Sequence, residues 1–203
     1  MTYQTHRAFA VGWVMIGNLI LYSKGLTEIN YYLALIIMLQ VGKCGALFPD
    51  VDHSWNNVKE KTMPNLIVNK LIHLTGGKHR SWQTHSIDIV AIFTVIAFML
   101  PTKLYELGKI TTVNREVLSI ILIGFSMGWI SHIFSDMLTS AGVRLFCVSR
   151  SKVALVPKQL FGMKFKTGED WEKFVFSLTR MLNIVIGLAC LVYPVIESRG
   201  LII

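Results

Sequence analysis

In the stretch GWISHIFSDMLTSAG, residues 128–142, His132 and Asp136 stand four positions apart. On a helix that spacing sets an imidazole and a carboxylate on one face, one turn from each other. The segment closes a strongly apolar run, where an ionisable side chain is costly unless it is paired or functional. The plainer account is a buried ion pair holding two helices together. Residues of the same chemical kind recur elsewhere: His6; Asp50, Asp52 and His53 in FPDVDH; His79 and His85 in GKHRSWQTHS; and Glu172 in GEDWEKF. Imidazole nitrogens mixed with carboxylate oxygens suit zinc, manganese or iron, whereas an all-oxygen set would suit magnesium or calcium. One catalytic ion takes three or four protein ligands, so nine candidates lead us to expect two or three divalent ions, zinc before manganese. Ions that close can share a hydroxide of lowered pKa, aim it at an electrophilic phosphorus and neutralise the charge that builds on its oxygens. Arg80, planar and permanently charged, could grip the same phosphate through two hydrogen bonds.

Whether these residues can meet depends on the apolar runs that separate them. Of 203 residues 53% are hydrophobic and only 16% are charged, well under the quarter or so typical of soluble domains. With a mean hydropathy of +0.52, this composition implies a membrane or a very large core. Five apolar runs stand out, at 8–22, 31–48, 87–101, 117–135 and 181–196. The fourth contains the uncharged ILIGFSMGW, in which Gly124 and Gly128 offer a small-x-x-x-small packing face. Between the second and third runs, MPNLIVNKLIHLTGG has Pro64 for a helix start, Gly76-Gly77 for a stop, and Leu66, Ile67, Leu71 and Leu74 at helical spacing. It reads as an amphipathic helix on the membrane surface. Residues 144–168 mix basic and apolar side chains without a period, which fits short extended strands or an interfacial loop. The expected fold is therefore all-α, a membrane-embedded bundle of about five apolar helices with one interfacial helix.

If successive runs cross the bilayer in alternating directions, the candidates fall at the start of the first, the end of the second, the start of the third, the end of the fourth and the start of the fifth. All of these lie on one side. The opposite loops, 23–30, 102–116 and 197–203, contain neither His nor Asp. Most Lys and Arg residues, from Arg7 to Arg180, share the candidates' side, against Lys24, Lys103, Lys109, Arg115 and Arg199 opposite. By the positive-inside rule that side is cytoplasmic, although a phosphate-binding site would attract the same cations. The net charge of +8 suits anionic headgroups or an anionic substrate, and nucleic acid is not an expected partner. Cys44, Cys147 and Cys190 form no C-x-x-C and read as buried, reduced thiols. No basic flank precedes a cleavage site, so no removable signal peptide is expected. His73 has no acidic neighbour and is left out of the metal set, Asp50 after Pro49 also fits turn chemistry, and Thr84 and Ser86 read as helix caps.

The order TH (5–6), PDVDH (49–53), HR…THS (79–86), SHIFSDMLTSAGV (131–143) and a late Glu172 resembles the YdjM family over residues 5 to 175. These are bacterial inner-membrane proteins described as membrane-bound metal-dependent hydrolases, with an SOS-regulated member. The family is in turn similar to zinc-dependent phospholipase C and the S1/P1 nucleases, all-helical enzymes with three zinc ions and an H-x-x-x-D ligand pair. His132-x-x-x-Asp136 matches that pair. The resemblance implies His6, Asp50, His85, His132, Asp136 and Glu172 as metal ligands, and after them Asp52, His53 and His79; Asp52 and Arg80 are taken as the catalytic candidates. Here His85 follows His79 by six positions where the family has five, and Ser140 stands where a proline is common.

Residues 1–203 are accordingly expected to form one membrane-embedded metallohydrolase domain, working at the cytoplasmic face of the bacterial inner membrane on a phosphate-containing substrate, a lipid for preference. Two other readings use the same residues: a divalent-metal transporter, whose site would sit near the bilayer midplane, and a non-enzymatic stress-response membrane protein whose metal is structural.

Overall fold

The computed structural model describes residues 1–80, 82–144, 146–148, 151–160 and 163–198. Its helices, in chain order, are α1 (Tyr3–Ser23), α2 (Tyr31–Leu47), α3 (Met63–Leu74), α4 (Trp82–His85), α5 (Ile87–Glu106), α6 (Thr112–Met137) and α7 (Asp170–Ser198), with single 3₁₀ turns at Pro49–Asp52 and Trp55–Asn57. Each of the five apolar runs lies within one long helix. Four segments are long and apolar enough to cross a membrane: Tyr31–Asp52, Ile87–Glu106, Thr112–Met137 and Asp170–Glu197. The sequence reading of five apolar helices needs one correction. The segment α1 is a helix of spanning length, but Gln4, Thr5, His6, Arg7 and Asn18 dilute its apolar face. The architecture is an all-α membrane bundle.

Helix α6 is the axis, with α1, α2 and α5 packed on it and α7 against α1. The tightest seam is α2 on α6, and glycines on both helices make it. A Cβ on Gly128 would collide with the carbonyl oxygen of Gly42, and one on Gly45 with the carbonyl oxygen of Phe125. The Gly124/Gly128 face predicted from sequence thus has a matching face, Gly42 and Gly45, on its partner. Val14, Leu21, Ala34, Met38, Ile120 and Ile123 complete the core of this seam. Helices α5 and α7 leave most of their apolar surface uncovered, as lipid-facing helices do.

The predicted amphipathic helix is α3. Its Thr62 cap accepts a hydrogen bond from the Asn65 amide, with Pro64 in the first turn. Buried Asn69 fastens the helix to the PDVDH turn by donating to the carbonyls of Val51 and His53, while Ile72 packs on Val51 and Val58. Met63, Ile67, Leu71 and Leu74 remain exposed on the other side. Of the two options for residues 144–168, extended strands occur: β1 (Val143–Arg144) pairs antiparallel with β2 (Lys152–Val153), and β3 (Gln159–Leu160) with β4 (Met163–Lys164). Arg150 and Arg199 lie outside the described residues. The three cysteines are free as expected, but only Cys190 is buried. Cys44 is exposed on α2 and Cys147 is partly so in the loop, because neither position turns toward the bundle interior.

Candidate metal centre

The alternation of the helices brings the start of α1, the end of α2, α4 and the last turns of α6 to one end of the bundle. His6, His85, His132 and Asp136 are buried there, and Asp50, His53 and His79 are partly open. Three overlapping groups result: His6, His132 and Asp136; Asp50, His85 and His132; and Asp50, His53 and His79. Within each, one ligand atom per residue lies within 4.8 Å of the others. The first and third groups share no residue, and the second bridges them.

The hydrogen bonds decide which imidazole nitrogen is free. His132 Nδ1 lies 2.7 Å from the Ala46 carbonyl oxygen, which can only accept, so Nδ1 carries the proton. His6 Nδ1 lies 2.6 Å from Ser135 Oγ, whose own hydrogen is donated to the His132 carbonyl, so His6 Nδ1 is also the donor. His85 Nδ1 faces Thr84 Oγ1 at 3.0 Å, and that hydroxyl gives its hydrogen to Asp52 Oδ2 at 2.8 Å. His79 Nδ1 donates to Asp52 Oδ1 at 3.1 Å. Four rings are therefore oriented with Nδ1 as the donor and Nε2 turned away from these partners.

Two of those Nε2 atoms meet. His85 Nε2 and His132 Nε2 are 3.2 Å apart, both fully buried, with Asp136 Oδ2 at 3.9 and 3.7 Å and Asp50 Oδ1 at 3.8 Å from His132. Asp136 is also engaged by cations of the chain itself, the buried Met1 ammonium at Oδ1 and Arg80 at Oδ2. The donor set, imidazole nitrogen with carboxylate oxygen, fits a divalent transition metal. Around the opening, the His53 and His79 rings stack at 3.5 Å. Burial first, and then the neighbouring His79, hold His53 below its ordinary pKa.

Seven of the nine ligands expected from sequence fall in the three groups. Glu172 does not. Its carboxylate is buried but engaged by the Thr2 amide, the Thr5 hydroxyl at 2.7 Å and the Gly168 amide at 2.7 Å, tying the start of α7 to the start of α1. Asp52 is also outside the groups, behind the imidazoles of His79 and His85. Arg80 is 3.0 Å from Asp136 Oδ2 through one terminal nitrogen and donates to the Gly142 carbonyl through the other. Its φ of 60° is left-handed, which a residue with a Cβ adopts at a cost of about 1–3 kcal/mol and which clusters at functional sites. His73, left out of the set, contacts only the His53 carbonyl at its ring nitrogen among the described residues. Sequence reasoning missed Ser135 and the Ala46 carbonyl, and took Thr84 for a cap although its hydroxyl supports Asp52. Ser135 lies inside the SHIFSDM stretch and was findable there, but a carbonyl carries no sequence signal.

The family model described as YdjM inner membrane protein matches residues 1–196. The chain belongs to that family. The comparisons with curated proteins and with solved structures found no match, so the further likeness to phospholipase C and the nucleases rests on the motif alone. In this YdjM-family chain the family motifs PDVDH, THS and SHIFSDM supply six of the seven grouped residues from three separate helix ends, and His6 supplies the seventh if His79 is counted with the HR…THS stretch.

Because Asp52 orients two imidazoles at once, Asp52→Asn is expected to weaken metal binding about 10- to 100-fold with little change in helix content. Competition against a chelating dye measures the first and circular dichroism the second.

Proposed function

We propose that this protein is a membrane-bound metal-dependent hydrolase acting on a phosphoester of a lipid or lipid-linked substrate. The observation that carries the proposal is the meeting of the buried Nε2 atoms of His85 and His132 at 3.2 Å, within a run of candidate ligands that leads outward to half-exposed His53 and His79. A purely structural ion would be closed off on all sides, whereas this row opens at one end, as a site that admits substrate must.

Divalent ions held there, two or three and zinc by preference, supply Lewis acidity and a water of lowered pKa. The chain does the rest. The Ala46 carbonyl, Ser135 and Asp52 hold His132, His6 and the His79/His85 pair in one tautomer, so no ligand has to lose a proton. Asp52 is in this reading a positioning residue. Arg80 lies between Asp136 and the opening, with guanidinium hydrogens beyond those used on Asp136 and Gly142 to receive a phosphate oxygen. The positive-inside count supports a multi-pass chain with this end in the cytoplasm. Ligands at helix ends, rather than in a break at mid-span, favour hydrolysis over transport.

Elemental analysis of the purified protein followed by a panel of phosphomonoesters, phosphodiesters and phospholipids tests this. Bound transition metal and chelator-sensitive turnover are expected. A metal-free preparation that keeps its fold and regains no metal on dialysis sinks the proposal, and metal uptake into proteoliposomes without hydrolysis replaces it with transport.

A further inference from the structure

Next to the ligand row lies a cavity of about 380 Å³, at the small end of the range for ligand sites. His79 and Arg80 form its inner wall, Trp82 is part of its lining, and Lys78, Arg144 and Lys152 complete its charge. No carboxylate lines it among the described residues. Four cations around one small volume repel each other, and two of them do so by construction. Arg144 and Lys152 are direct cross-strand partners in the β1–β2 hairpin, where like charges destabilise the pairing. Arg144 Nε is also buried without a hydrogen-bond partner. An unpaired buried donor and a like-charge strand pair are both unfavourable alone, and one anion between them relieves both. The cavity sits directly after α3, whose exposed Leu71 and Leu74 mark the apolar rim beside it.

We infer that this cavity is an anion subsite formed by Lys78, Arg144 and Lys152, which receives a second phosphoryl group of the substrate while Arg80 and the metal ligands receive the one cleaved. The inference rests on the phosphoester reading above and narrows the substrate class to molecules with two phosphoryl groups. Arg80 joins the two sites, since it lines the cavity and reaches Asp136 at 3.0 Å. Its left-handed backbone turns the chain between His79 and α4.

The test is binding, read apart from hydrolysis. Protein in detergent is stripped of metal with a chelator and titrated calorimetrically with inorganic pyrophosphate. Saturable binding is expected, tighter than that of inorganic phosphate, and weakened about tenfold or more in the R144Q/K152Q double variant. That variant should melt no lower than the parent, because it removes a like-charge pair. Lys158→Gln with Lys166→Gln, in a separate cavity, should leave the affinity unchanged. Displacement of pyrophosphate by diacylglycerol pyrophosphate in mixed micelles at lower concentration than by methyl diphosphate assigns the anion to a lipid headgroup, and equal potency assigns it to a water-soluble ester. The subsite is overturned by absence of saturable binding, by displacement with neither compound, or by equal affinities in the parent and R144Q/K152Q. Since the protein is metal-free throughout, a failed hydrolysis assay leaves this result standing, and the reverse also holds.

Discussion

His132→Ala is expected to lose bound metal and at least about 100-fold in any metal-dependent turnover, because this one imidazole belongs to two of the three ligand groups. No neighbour can substitute for it. His6 stacks on it at 3.8 Å and is itself committed to Ser135, while His85 faces it from α4. The fold should survive. Truncating the buried ring leaves a cavity and takes the donor from the Ala46 carbonyl, so the metal-free variant should melt below the metal-free parent while keeping its helix content. Three measurements separate the outcomes: metal per protein by elemental analysis, turnover, and thermal unfolding with and without chelator. Stoichiometric metal in His132→Ala would falsify the assignment of the centre. Loss of helix content would instead show that His132 is a packing residue, which is the ion-pair account of the His132–Asp136 spacing.

Gly128→Val is the second large effect, and it acts through the backbone. A Cβ at this position would strike the carbonyl of Gly42 and the amide nitrogen of Ala46, which are main-chain atoms of α2 that cannot rotate aside. The helices must separate, and overpacking of this kind costs about 1–3 kcal/mol or more. The damage should also reach the site, since the Ala46 carbonyl that fixes the His132 tautomer lies on the displaced segment. Lower thermal stability in detergent together with weakened metal binding is expected. Gly187→Ala is the control. Its Cβ would meet only Met15 Sδ at 3.8 Å, an ordinary contact, and a helical Gly→Ala exchange in open space is neutral or stabilising by up to about 1 kcal/mol. If both variants unfold alike, close α2–α6 packing is not what holds the bundle together.

Much of this arrangement is legible without coordinates. Apolar runs bounded by polar clusters locate the five long helices, and the period within MPNLIVNKLIHL locates α3 with its exposed Leu71 and Leu74. Alternating direction along the chain is enough to bring His6, Asp50, His85 and His132 to one end, because each long helix has only two ends at which to leave its polar flanks. The departures have local causes. Polar residues ahead of the first run, with Asn18 inside it, make α1 less apolar than its length implies, and Cys44 sits on the outer side of α2. Glu172 has the right residue type at the right end of its helix, yet its oxygens are engaged by the backbone of Thr2 and Gly168.

What the sequence by itself determined is the inventory and its level: an all-α membrane chain of the YdjM family with imidazoles and carboxylates gathered at one end. Run length, polarity and order along the chain fix these, and all three are properties of linear sequence. What only the tertiary structure decided is the assignment of roles within that layer. Whether an imidazole offers Nε2, whether a carboxylate faces a ligand or a backbone amide, and whether two imidazole nitrogens meet at 3.2 Å depend on shifts of a few ångströms between neighbouring helices. Those shifts are set by the packing of glycine on backbone between α2 and α6, where the contacting atoms are main-chain carbonyls common to every residue.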